Sequence, residues 1–175
     1  KMTGPQFKPS YLDIEPDELV EYLLQESGSK EKGSTNIDAM LQILKLQCIE
    51  MDFKKDFEVA LQIDDIPRAL ISFPDQIIAV EKNIYERRKR FCCLHEIAHY
   101  VLPEHRHDLF ICKNKDFGVN AEKEWEVQAN NFAAELLFLG GEFEKEANQY
   151  SSINAKLIKD LGDKYNASYE ATARR

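Results

Sequence analysis

Apolar positions recur at helical spacing near both ends of the chain and in two long central stretches, and they run at strand spacing between them. From Asp13 to Glu26 the residues Leu19, Val20, Leu23 and Leu24 form one stripe, Pro16 suits a first turn, and acids crowd its positive end. Residues 27–34, Ser-Gly-Ser-Lys-Glu-Lys-Gly-Ser, read as a polar, flexible connection. Thr35-x-x-Asp38 then predicts a capping box opening a second helix, with Ile37, Met40, Leu41 and Leu44 facing inward. Strands are predicted at Cys48–Phe53, Ala69–Phe73 and Ile77–Val80, the last two joined as a hairpin across Pro74-Asp75. A helix from about Tyr85 runs to Leu102, where Pro103 stops it. After a loop with an extended piece at Leu109–Cys112, a long helix spans Ala121 to Leu139 and ends at Gly140-Gly141. A further helix is expected from Asn154 to Tyr165, and Ser168 caps a last one.

This order of elements predicts an α+β fold, a small twisted and mainly antiparallel sheet packed on a helical bundle. The 175 residues suffice for one core, so residues 12–175 read as a single domain and residues 1–11 as a tail outside it. Apolar residues make up 43%, too many for a disordered chain, yet no apolar run approaches the roughly 20 residues that span a bilayer. The start of the chain lacks a charged-then-apolar secretory pattern, so the expected compartment is cytoplasmic, with no membrane contact. With 23 Lys+Arg against 31 Asp+Glu, a net of −8, non-specific nucleic-acid binding is a poor expectation. Cys48, Cys92, Cys93 and Cys112 form no CxxC pair and read as reduced, buried thiols.

The histidines carry the chemistry, because all four lie between His95 and His107. His95-Glu96-Ile97-Ala98-His99 is an HExxH sequence. On a helix the two imidazoles lie one turn apart and about 40° round, so both reach a single ion. Zinc takes neutral imidazole and about four ligands, and catalytic sites leave one position to water. Glu96, about 100° round from His95, then stands as a general base and not as a ligand. Phe91, Leu94, Ala98, Val101 and Leu102 make this helix apolar nearly all round, so its polar groups need a partner such as a metal.

Two histidines leave a ligand to find. On the long helix Glu126 falls inside the apolar arc, between Ala133 and Leu137, while Glu124 and Glu135 face the polar side. Ala129 and Ala133 beside it would let the two helices approach closely. Glu122 shares the face but sits on the first turn, and Asn130, four residues after Glu126, is placed to orient a ligand.

Arg90-Phe91-x-x-x-His95-Glu96-x-x-His99-Tyr100-x-Leu102, followed by Glu126-x-x-Ala129-Asn130-x-Phe132-Ala133-x-Glu135-Leu136-Leu137, resembles the ImmA/IrrE metallopeptidases over about residues 12–175. The resemblance implies a zincin-like fold whose HExxH helix carries a gluzincin-like site, with His95, His99 and Glu126 holding one Zn2+ and Glu96 as base. It also implies a bacterial or phage-borne enzyme that cleaves a helix-turn-helix repressor. Ala98 stands where that family usually has glycine, and Leu137-Phe138-Leu139-Gly140 lacks the proline that usually closes the second motif.

The expected function is therefore a zinc endopeptidase of narrow specificity, with an extended substrate segment added to the sheet edge. The rival is a metal-stabilised module that captures a repressor without cutting it, which would have no use for Glu96. DNA binding through the cationic C-terminal helices ranks last. Tyr100, His105 and His107 are each candidates to steady the tetrahedral intermediate. His105 and His107 otherwise read as solvated loop histidines, and the basic run from Glu86 to Arg90 as a solvated turn.

Overall fold

In the computed structural model the described residues are 14–56, 67–105, 109–111 and 120–175. Three helices come first: α1 (Pro16–Glu26), the single turn α2 (Ser29–Lys32) and α3 (Ile37–Leu44). Strand β1 (Gln47–Met51) leads to a helical turn at residues 53–56. Strands β2 (Ala69–Ser72) and β3 (Ile77–Glu81) precede α4 (Glu86–Val101), a 3-10 turn (Pro103–His105) and β4 (Leu109–Ile111). Four helices close the chain: α5 (Asn120–Leu137), α6 (Glu142–Ala147), α7 (Ala155–Lys164) and α8 (Tyr169–Arg174). The α+β class, the hairpin and the long helices agree with the periodicity. The expected tail, residues 1–11, lies outside the described residues, as do residues 112–119.

The four strands stand in the order β1-β3-β2-β4. β2 pairs antiparallel with both β3 and β4, whereas β1 runs parallel to β3. Alternation sorts the sheet's side chains: Ile71 lies opposite Ile78 and Ala69 opposite Val80 on the face toward the helices. Leu70 and Ala79 point the other way, where Phe53 and Met51 cover them. The large core lies between the first face and α1, α3, α4 and α5. Among the described residues, no helix is long and apolar enough to cross a membrane.

Several local expectations are corrected. Phe53 belongs to the helical turn and not to a strand, because the Glu81 carboxylate accepts its N–H at 2.8 Å. Residues 27–34 are not a flexible connection: Ser27 and Ser29 are buried, their hydroxyls 2.6 Å apart, and the Ser29 hydroxyl accepts the Asn36 N–H. Thr35 does not cap α3. Asn36 does, through its side chain to the Ala39 N–H, and the Thr35 hydroxyl donates instead to the carbonyls of Leu136 and Leu137 at the end of α5. After α5, Leu139 and Gly140 both adopt left-handed backbone, at φ 57° and 63°, and the chain turns directly into α6, a helix the periodicity did not indicate.

The basic run opens α4 and ties it down. Arg87 donates to Ala167 O and pairs with Asp163, Lys89 pairs with Glu50, and Arg90 donates to Thr35 O. At the C-terminal end Lys159, Lys164, Arg174 and Arg175 each pair with a carboxylate.

Candidate metal centre

The site forms where α4 crosses α5, the helix against which it packs most extensively. Ala129 and Ala133 are fully buried at this contact, and their small side chains let the two axes approach. α4 holds its residues rigidly because it is buried from Cys93 through Val101 and stops at Leu102. Leu102, which precedes Pro103, takes the extended backbone that a following proline imposes (φ −75°, ψ 120°).

His95 and His99 both turn toward α5. Their Nε2 atoms lie 3.0 Å apart. Glu126 completes a triangle: its Oε2 is 3.3 Å from His95 Nε2 and its Oε1 is 3.4 Å from His99 Nε2. These three residues form the metal-capable group found among the described residues. The donor set fits a zinc-like ion. A tetrahedral centre with bonds of about 2.0–2.1 Å holds its donors roughly 3.3 Å apart, and two imidazoles with one carboxylate leave one corner open. Glu122 belongs to the same helix, but its side chain lies outside the described ones.

Electrostatics follow from the crowding. Burial pushes the His99 imidazole down to about 4 against the pull of Glu126, so at neutral pH His99 is uncharged and can offer a lone pair. Burial also acts downward on His95, but the Glu126 carboxylate, the Glu96 charge and a hydrogen bond with the Asn130 side chain outweigh it and raise the group. Burial would raise Glu126, and the two histidines 3.3 and 3.4 Å from its oxygens hold it well below the usual carboxylate range instead. The expected partner Asn130 is thus in place beside His95.

The other candidates divide. Glu96 is fully buried next to His95 in the chain, and its charge is felt by His95 and by Cys92. Tyr100 stacks on Phe73 at 5.9 Å and its hydroxyl accepts from the Gln76 amide, which ties it to the β2–β3 turn. His105 is not a solvated loop histidine. It has no exposed surface, its Nδ1 lies 3.0 Å from His99 Nδ1, and its Nε2 lies 2.9 Å from Gln128 Oε1. It therefore sits behind His99, at the ring edge away from Glu126. Sequence reasoning missed this pairing and missed Gln128, because nothing in a histidine's spacing beyond a proline reports where the chain folds back. His107 and the Cys112 thiol lie outside what is described. Cys93 is buried as expected, while Cys48 is exposed on β1.

A family model described as the IrrE N-terminal-like domain, of the M78 peptidases, matches residues 47–175. The chain belongs to this family. The match includes α4 and α5 with every proposed ligand, and it begins after α1–α3, so it is shorter than the 12–175 span of the motif resemblance. As an M78 peptidase the protein has a metallopeptidase-type function, which implies a metal, and the His95, His99 and Glu126 group is one that could hold it. No curated protein matches the chain.

Proposed function

We propose that the protein is a cytoplasmic, zinc-dependent endopeptidase of narrow specificity whose substrate is a helix-turn-helix repressor. The observation that carries the metal assignment is the triangle of His95 Nε2, His99 Nε2 and Glu126 with sides of 3.0 to 3.4 Å. The resemblance of the two motifs to repressor-cleaving enzymes carries the choice of substrate.

In this reading His95, His99 and Glu126 hold one Zn2+ per chain. A bound zinc ion supplies a Lewis acid that polarises the scissile carbonyl and acidifies water. Glu96 takes a proton from the attacking water onto a carboxylate oxygen and later hands it to the departing amine nitrogen. An extended substrate segment pairs along a sheet edge. Among the described residues the edges are β1 and β4, and β4 starts four residues after His105, nearer to the metal centre in the chain.

A second reading, capture of a repressor without cleavage, is favoured by one observation: Glu96 has no exposed surface. The variant Glu96→Gln separates the two. With zinc retained at about one per chain, loss of cleavage of the cognate repressor supports the peptidase, and a wild type that binds the repressor tightly yet never cuts it supports capture. Brisk digestion of casein would overturn narrow specificity under either reading.

A further inference from the structure

His105 and Gln128 form a chain of hydrogen bonds behind His99, and its direction follows from donor and acceptor chemistry. Gln128 Oε1 only accepts, so the His105 nitrogen that faces it at 2.9 Å, Nε2, carries the proton and donates. A neutral imidazole has one N–H, so His105 Nδ1 bears a lone pair. The atom that faces this lone pair at 3.0 Å is His99 Nδ1, which must then be the donor. His99 Nε2 is left with its lone pair, directed toward His95 Nε2 at 3.0 Å and Glu126 Oε1 at 3.4 Å. Were the Gln128 amide turned the other way, every step would reverse. His99 Nε2 would carry a hydrogen and could not ligate.

We propose that His105 and Gln128 are positioning residues that lock His99 in its Nδ1–H tautomer and so prepare Nε2 for the metal. The inference rests on the assignment of His99 as a ligand. His105 can hold this position because it is fully buried in the 3-10 turn that Pro103 starts, with its ring beside Trp125 at 5.8 Å. The helix that contributes Glu126 also contributes Gln128 two residues on, so one rigid element sets both the ligand and the far end of the chain.

The test begins on metal-free wild-type protein labelled with 15N-histidine. Long-range proton–nitrogen correlation should find His99 protonated at Nδ1 and His105 at Nε2. Zinc affinity by chelator competition comes next, on wild type, Gln128→Leu, Gln128→Glu and His105→Phe, each checked for folding by circular dichroism. Gln128→Leu and His105→Phe should bind zinc about 10–100-fold more weakly, the usual cost of losing a partner of a ligating histidine. Gln128→Glu, which still presents an acceptor, should stay within about threefold of wild type. His99 protonated at Nε2 in the wild type, or Gln128→Leu and His105→Phe both keeping wild-type affinity, would overturn the proposal. Failure of wild type to bind zinc would instead count against the metal assignment, and the tautomer measured in the metal-free protein would still decide the lock.

Discussion

The Thr35 hydroxyl donates to the carbonyl of Leu136 at 2.7 Å, across 101 positions of sequence, and shares a second bond at 3.1 Å with Leu137 O. The last carbonyls of a helix have no partner within it, so a buried helix end needs a donor from elsewhere. Thr35 is one such donor for α5, beside the N–H groups of Leu139 and Gly140, which bond the carbonyls of Leu136 and Glu135. The carbonyl of Thr35 itself accepts from Arg90 of α4, so one residue joins the two helices that carry the metal centre, at the end away from Glu126.

Replacing Thr35 with valine keeps the volume and removes the donor. Two buried carbonyls lose their hydroxyl partner, at a cost of about 1–3 kcal/mol. For a chain of this size that lowers the midpoint of thermal unfolding by roughly 2–4 °C per kcal/mol. Calorimetry should show this loss in Thr35→Val and most of the stability restored in Thr35→Ser. Equal stability of Thr35→Val and wild type would mean that water replaces the hydroxyl.

Glu126→Ala should lose its metal and Glu122→Ala should keep it. Glu126 provides both oxygens that face the histidines, and two imidazoles alone hold zinc much less firmly than three protein ligands. Metal analysis after dialysis should give about one zinc per chain in wild type and Glu122→Ala, and much less than half in Glu126→Ala. The reverse pattern would place the third ligand one turn earlier on α5.

Acid should weaken the attachment of α7 to α4. Hydrogen bonds from Lys159 and Arg87 hold the Asp163 carboxyl below its usual 3.8. A depressed folded value stabilises the protein above the unfolded value and loses that contribution as pH falls through the folded one, so the loss sets in below about pH 4. Urea midpoints measured between pH 6 and 3 should fall less steeply for Asp163→Asn than for wild type. Parallel curves would show that the pair is too screened by solvent to matter.

Gly162→Ala should destabilise, against the helix propensity of alanine. A Cβ on Gly162 would stand 2.8 Å from Tyr169 Cδ1 and 3.1 Å from Thr172 Oγ1. The Tyr169 ring cannot swing aside freely, because its hydroxyl donates to Asp163 and the Arg87 guanidinium lies over its face at 5.2 Å. Overpacking costs about 1–3 kcal/mol and alanine returns about 1 kcal/mol in a helix. A net loss near 1 kcal/mol in denaturant unfolding is expected, and a gain would show that α8 moves outward at little cost.

The sequence by itself determined the α+β class, the hairpin, the extents of α4 and α5 to within two residues at either end, and the helix faces on which His95, His99 and Glu126 lie. Each of these depends on spacing along one element. Two histidines four apart share a helix face wherever that helix goes, and a carboxylate among Ala129, Ala133 and Leu137 must point where they point. Asn130 was legible for the same reason. What the tertiary structure alone decided are contacts between elements far apart in the chain: Thr35 on the end of α5, Glu81 capping the turn at Phe53, the basic residues of α4 anchored on Asp163 and Glu50, and His105 folded back onto His99. In the first, third and fourth of these a polar group that local pattern assigned to solvent or to its own helix is taken by a distant partner. Periodicity reports which face of an element is apolar, because burial of that face is a local requirement. It carries no record of which donor will meet which acceptor once those faces have packed, and that pairing is set by where the helices and the sheet come to rest.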